Sequence, residues 1–325
     1  MKYRILIAWS VLASLTIGGI APQPASASET NYPTRAIEVV VPFPPGGTSD
    51  LSVRFLADKW AEFLKQPVVI VNKPGAASAL GAAFVANAKP DGYTLLLGSE
   101  SPLIITRRLQ SNIEYDLDSF TFLHAYGTGA VFFTVRPDSQ WKTIQDFIDE
   151  AKKRPGELTY ATHGIGSLSH FIAEVLWKEA GVKVTHVPYK SGPQANTAVL
   201  GGHVDIAVPP SYGALAAKGA IRVLATTANE RVPFAPTVPT LKEQGFKAQL
   251  NYYSILLGPK GLPEDVRNKL VDAHEKAYAK YRKEIDEGLI RLELAPIKLS
   301  GQQARGLMND SEAWTKAVAP ELGLK

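Results

Sequence analysis

The residues best placed to do chemistry sit in two glycine turns. The first reads Pro42-Phe43-Pro44-Pro45-Gly46-Gly47-Thr48-Ser49-Asp50. An apolar, β-branched run, Ile37-Glu38-Val39-Val40-Val41, precedes it, and Leu51, Phe55 and Phe63 follow near helical spacing. A strand that ends on glycines and opens a helix aims several main-chain N–H groups, and the positive helix end, at one spot. Gly46 and Gly47 carry no side chain, so an oxygen-bearing ligand can approach the main chain. That chemistry suits a carboxylate or a phosphate. Turn chemistry alone explains the pattern equally well, because any tight strand–helix turn needs small residues. The second turn repeats the order in Tyr160-Ala161-Thr162-His163-Gly164-Ile165-Gly166-Ser167-Leu168-Ser169-His170. Two such turns, one from each half of the chain, can face each other across a cleft; two unrelated turns are the plainer alternative.

The elements that must position these turns alternate in type. Val68 to Val71 reads as a strand, Asn72-Lys73-Pro74-Gly75 breaks it, and an Ala-rich helix follows. Pro90-Asp91-Gly92 turns the chain into a strand from Tyr93 to Leu97. The rhythm resumes with a strand from Val131 to Val135 and a helix over 143–153, with Thr143 as its cap. A strand over 159–161 leads to a helix over 167–180 that ends at Gly181. Further strands fall at 186–187, 206–208, 223–226 and 252–257, with helices between them. Charged and mixed helices over about 263–291 and 302–318 complete the chain. The alternation predicts an α/β protein of two lobes, each a mainly parallel sheet flanked by helices.

The 325 residues are 45% hydrophobic and 20% charged, with no cysteine. That excludes a disulfide scaffold, thiolate metal sites and a cysteine nucleophile. Lys2 and Arg4, the apolar run from Ile5 to Ile20 and Ala25-Ser26-Ala27 read as a secretory signal peptide over 1–27, cleaved after Ala27. The segment holds two basic residues and no acid, so half of the formal charge of +4 belongs to it. The near-neutral remainder gives no electrostatic case for nucleic acid.

With both turns in hand, the chain resembles the Bug, or tripartite tricarboxylate transporter (TctC-like), family of periplasmic substrate-binding proteins. The resemblance rests on Tyr32-Pro33-Thr34-Arg35-Ala36-Ile37, on residues 42–50, and on Gln66-Pro67-Val68-Val69 running through Asn72-Lys73-Pro74-Gly75-Ala76. It continues in Pro90-Asp91-Gly92-Tyr93-Thr94-Leu95-Leu96, residues 160–170, His186-Val187-Pro188-Tyr189-Lys190, Leu200-Gly201-Gly202-His203-Val204-Asp205 and Val238-Pro239-Thr240. It implies a hinged, type II-like binding protein, with lobe 1 over 28–128 and 255–325 and lobe 2 over 129–254. The cleft would capture a small organic carboxylate, aromatic or aliphatic, for a membrane transporter of the tripartite type. By position, the first turn contributes Phe43, Gly46, Gly47, Thr48 and Asp50, and the second Thr162, His163, Gly164, Gly166 and Ser167. Ser101 and Tyr189 are wall residues on the same basis. Asp50 would repel an anion, so its role is to accept N–H bonds and fix the loop, or to meet a ligand ammonium or hydroxyl. Family members usually carry a small residue where His163 stands, which makes His163 a source of ligand preference. The resemblance further implies a periplasmic monomer without cofactor or catalytic residues.

The competing reading is a secreted hydrolase acting on carboxylate esters, using Ser167 or Ser169 with His170 and Asp205. The order Gly-x-Gly-Ser is not the Gly-x-Ser-x-Gly elbow that such a nucleophile needs. The six histidines show no metal-ligand spacing, and neither a full dinucleotide fingerprint nor a P-loop is present.

Overall fold

Strand β1 (Ile37–Val41) is apolar at four of five positions and buried, and it anchors the first sheet. The chain continues through α1 (Thr48–Leu64), β2 (Val68–Asn72), α2 (Ala79–Ala86), β3 (Thr94–Gly98), α3 (Thr106–Leu109) and β4 (Phe120–Gly129). It then builds a second sheet from β5 (Phe132–Val135), α4 (Ile144–Lys153), β6 (Thr159–Thr162), α5 (Leu168–Ala180), β7 (Thr185–Pro188), α6 (Gly192–Leu200), β8 (Ile206–Ala207), α7 (Gly213–Ala216) and β9 (Arg222–Thr226). It returns to the first sheet with β10 (Tyr252–Pro259), α8 (Glu264–Arg291), β11 (Ala295–Ser300) and α9 (Gly301–Leu322). This computed structural model describes residues 31–110, 112–216 and 218–323. The leader expected over 1–27 lies outside them. No described helix is long and apolar enough to cross a membrane.

The first sheet has the order β11-β4-β10-β3-β1-β2 and the second β7-β6-β8-β5-β9. Strands β1, β2 and β3 pair in parallel, as do β6, β7 and β8. These are the βαβ units legible in the alternation. The other half of each sheet is antiparallel: β10 lies between β3 and β4, β11 pairs with β4, and β5 pairs with β8 and β9. Both sheets are therefore mixed: β10 and β11 run against the other four strands of the first sheet, and β5 runs against the other four of the second. Strands β4 and β11 escape a pattern search. The first carries His124, Gly127 and Gly129 inside it, and the second is a half-exposed edge strand containing Pro296.

The chain passes between the sheets twice, at 130–131 and over 227–251, and the two passages are tied together. The Val131 N–H donates to Thr227 Oγ1 at 3.2 Å, the Thr227 N–H to the Val131 carbonyl at 3.0 Å, and the Thr227 hydroxyl to the Leu250 carbonyl at 2.9 Å. One apolar core spans both sheets, from Leu95 and Leu97 through Phe133 to Leu176 and Trp177. Strand β10 begins at Tyr252, where the second passage enters the first sheet.

Candidate functional site

The carboxyl ends of the parallel strands in both sheets meet at a cavity of about 480 Å³. In open α/β sheets that end of the strands is where ligands bind, because loops and helix starts converge there. At the first wall, Gly47 is the N-cap of α1, with φ −82° and ψ 168°, and it offers no side chain to the helix start. No described group accepts the N–H bonds of Gly47, Thr48 or Ser49. Three donors and the positive helix end are thus left for a guest.

Asp50 stands behind this wall. Its carboxylate accepts from the Gly46 N–H at 2.9 Å, Arg54 Nε at 3.0 Å and Asn72 Nδ2 at 2.9 Å. Asn72 Nδ2 also donates to the Phe43 carbonyl at 3.0 Å. Burial acts to raise the carboxyl, but the bonds from Arg54, Gly46 and Asn72 outweigh it and hold Asp50 below its ordinary range. Asp50 fixes the turn and does not line the cavity.

A second segment of this wall was not singled out as a site element from sequence. Ala76, Ala77 and Ser78 all have positive φ (47°, 48° and 78°), and Ala77 and Ser78 line the cavity. Left-handed backbone costs a residue with a side chain about 1–2 kcal/mol. The run is held by the buried Thr106 hydroxyl, 2.7 Å from the Ala77 carbonyl and 3.2 Å from the Gly166 carbonyl of the opposite turn. The only sequence signal was Pro74-Gly75 followed by small residues.

On the opposite wall three histidines scaffold the second turn. The Gly166 N–H donates to His170 Nδ1 at 3.2 Å, and Thr162 Oγ1 lies 2.7 Å from His186 Nε2. The His170 and His186 rings stack with centroids 4.2 Å apart. Burial pushes His170 down to about 4, so its Nδ1 is free to accept at neutral pH. The Gly164 N–H donates to Thr162 Oγ1 at 3.2 Å, whereas the N–H groups of His163 and Ile165 meet no described acceptor. Ser167 caps α5 by accepting from the His170 N–H at 3.3 Å. His163 lines the cavity with Nδ1 2.9 Å from Ser169 Oγ, and burial lowers it to about 4. The start of α6 adds Ser191 and Gly192 beside Tyr189.

Of the residues expected to hold the ligand, Phe43, Gly47, Thr48, Ser101, His163, Gly164 and Tyr189 line the cavity. Gly46, Asp50, Thr162, Gly166 and Ser167 do not line it; Asp50 takes the loop-fixing role expected of it. The N–H groups of Gly46 and Gly166 are taken by Asp50 and His170, and the polar atoms of Asp50, Thr162 and Ser167 serve the turns themselves. The grouping weighed for a hydrolase does not assemble: Ser169 is fully buried and bonds His163, while Asp205 accepts from the main chain and hydroxyl of Thr159 at 2.8 Å. Among the described residues no cluster of His, Asp and Glu converges as a metal site.

At the floor, Ser99 and Ser101 flank Glu100, and Tyr252 closes the side. Glu100 is fully buried; its Oε2 accepts from the Tyr253 N–H at 2.9 Å and its Oε1 has no described partner. Burial raises it to about 8, against smaller lowering contributions from the main-chain N–H groups of Tyr253 and Glu100. Neither Asp nor Glu lines the cavity, and the single charged lining side chain among the described residues is the exposed Lys190. Prolines 42, 44 and 45 with Phe43, Ile165 and Tyr189 make the remainder apolar.

The family described as tripartite tricarboxylate transporter family receptor matches residues 52–324. A Cupriavidus necator protein, named for its place in the gbd 5' region, is 34% identical and covers 100% of this chain and 99% of its own. Two solved Rhodopseudomonas palustris structures superpose over nearly all of this chain. One holds adipate, with TM-score 0.83 and 27% identity, covering 90% of this chain and 99% of that one. The other is MatC with bound malate, with TM-score 0.82 and 27% identity, covering 88% and 99%. A family match over most of the chain, and relatives aligned from end to end, fit one conclusion: the chain belongs to the tripartite tricarboxylate transporter receptor family.

Proposed function

We propose that this protein is an exported, periplasmic binding protein that captures a small organic carboxylate in the cavity and delivers it to a tripartite-type membrane transporter. The observation that carries the reading is the set of unaccepted N–H groups at the start of α1, facing those of His163 and Ile165 on the opposite turn. Neutral main-chain donors stabilise an anion without burying a cation. They also leave preference to the wall, where Phe43, Tyr189 and His163 favour an aromatic acid or an apolar chain. The malate and adipate seen in the neighbours support the ligand class. The tied passages at 130–131 and 227–251 serve as the hinge between a lobe built on the first sheet and one built on the second, and the ligand favours the closed form by bridging both turns.

A micromolar ligand has about −8 kcal/mol of binding free energy, within reach of several hydrogen bonds and apolar contact. Titration calorimetry with malate, adipate, benzoate and terephthalate tests the assignment. Saturable one-to-one binding without consumption of the acid is expected. Failure of every acid to bind, or turnover of their esters by the purified protein, overturns it. N-terminal sequencing of the exported protein should begin at Ser28.

A further inference from the structure

We infer that Glu100 is a proton-binding site coupled to the ligand, taking up a proton when a carboxylate enters the cavity. The inference rests on the carboxylate reading above. Glu100 lies two residues past the end of β3, with cavity-lining residues on both sides, Ser99 and Ser101. It is wholly buried, and only one of its two oxygens is bonded. Oε2 takes the Tyr253 N–H where the β3–β10 ladder ends, so a proton belongs on Oε1. Ser101, the next residue, lines the cavity wall, and its buried hydroxyl also has no described partner.

The groups around it supply no counter-charge. Strand β10 presents the Tyr252 and Tyr253 phenols and β4 the Tyr126 phenol, all raised by burial and therefore neutral. Glu293, after α8, acts on Tyr252 with the same sign as Glu100. Arg107, beyond the turn that follows Glu100, is paired to Glu312 of α9. His163 and His170 on the opposite turn are neutral, and Lys190 stands exposed at the cavity wall. A carboxylate arriving in a pocket already short of positive charge places a second anion near Glu100. Two like charges at low dielectric cannot both persist cheaply, so the glutamate binds H⁺ from solvent on Oε1. Reciprocity then requires that the protonated protein bind the acid more tightly.

Calorimetry with adipate, malate and benzoate at pH 6, 8 and 9, each in two buffers of different ionisation heat, reads the proton directly. The acids stay ionised over this range. From a free pKa of about 8, uptake should be near zero at pH 6 and about half a proton per ligand at pH 8. Affinity should be about tenfold weaker at pH 9 than at pH 6. Glu100→Gln, which keeps the bond from Tyr253 and cannot ionise, should lose both effects and bind about tenfold more tightly than the native chain at pH 9. Binding at pH 8 with no buffer dependence in the native protein overturns the inference, whether or not the variant folds. Uptake that persists in the Gln variant overturns it too, by moving the proton to another group. Absence of any binding at pH 6 overturns the carboxylate reading and this inference together.

Discussion

Gly47 and Glu100 make opposite demands on the site. Gly47 has φ −82° and no atom within 4 Å of where a Cβ would stand, so a side chain fits the fold and fills the cavity. Gly47→Val should fold normally and bind a carboxylate about ten- to a hundredfold more weakly, since blocking one or two N–H donors costs about 1.5–3 kcal/mol. Calorimetry beside a melting curve separates this from unfolding. Unchanged affinity in the folded variant means that the start of α1 is not the anion site. Glu100 acts on stability as well. Its folded pKa, about 8, lies above that of a free glutamate, so the folded state binds more protons than the unfolded chain. Its neutral form favours the fold fully at low pH, and that stability is lost as pH rises through the window up to about 8. The ceiling is on the order of 5 kcal/mol at about 1.4 kcal/mol per unit. Chemical denaturation at pH 5, 7 and 9 should show the native protein losing stability across the series and Glu100→Gln losing much less.

Among the elements, the strained turn at Ala76–Ser78 and the Gly166 turn come from different halves of the chain, yet they share one hydroxyl, that of Thr106 on α3. A hydroxyl donates one hydrogen, so the closer Ala77 carbonyl takes most of it and the Gly166 carbonyl the remainder. Thr106→Val keeps the shape and removes the donor from two partly buried carbonyls. It should lower stability by about 1–2 kcal/mol and weaken ligand binding several-fold. Both are read by denaturation and calorimetry on the same sample. No change in either would mean that the left-handed run is held by its own packing. The capping elements behave as their sequences require: Thr143 and Asp146 form a reciprocal capping box on α4, and Ser300 with Gln303 does the same on α9.

At the scale of the molecule, a ligand that bridges both turns binds the folded, closed protein and not the unfolded chain. At a hundred times its Kd it should therefore add about 2.7 kcal/mol, seen as a rise in Tm of several degrees that grows with concentration. The continuous core across both sheets and the hydrogen-bonded passages at Val131 and Thr227 make unfolding of the two halves cooperative. A single melting transition that shifts as one unit with ligand is expected. Two transitions, only one of them ligand-sensitive, would place the site within a single half.

The amino-acid sequence by itself determined the parallel half of each sheet, the helix caps and both glycine turns. Alternating apolar runs, Thr143, Ser167 and Gly181 act within a few residues of themselves, and local rules read them. It also marked Asp50 as a fixer of its turn, because a carboxylate at a helix start has N–H groups within reach. Tertiary structure alone decided the antiparallel half, since β4 and β11 owe their places to strands far away in the chain rather than to their own composition. It likewise decided which turn residues line the cavity. Gly46 and Gly47 are adjacent and chemically identical, but the Asp50 carboxylate takes the N–H of one and leaves that of the other open. Glu100 stands in the sequence as an acid between two serines; only burial strips it of water and of any counter-charge, and burial is a property of the assembled molecule.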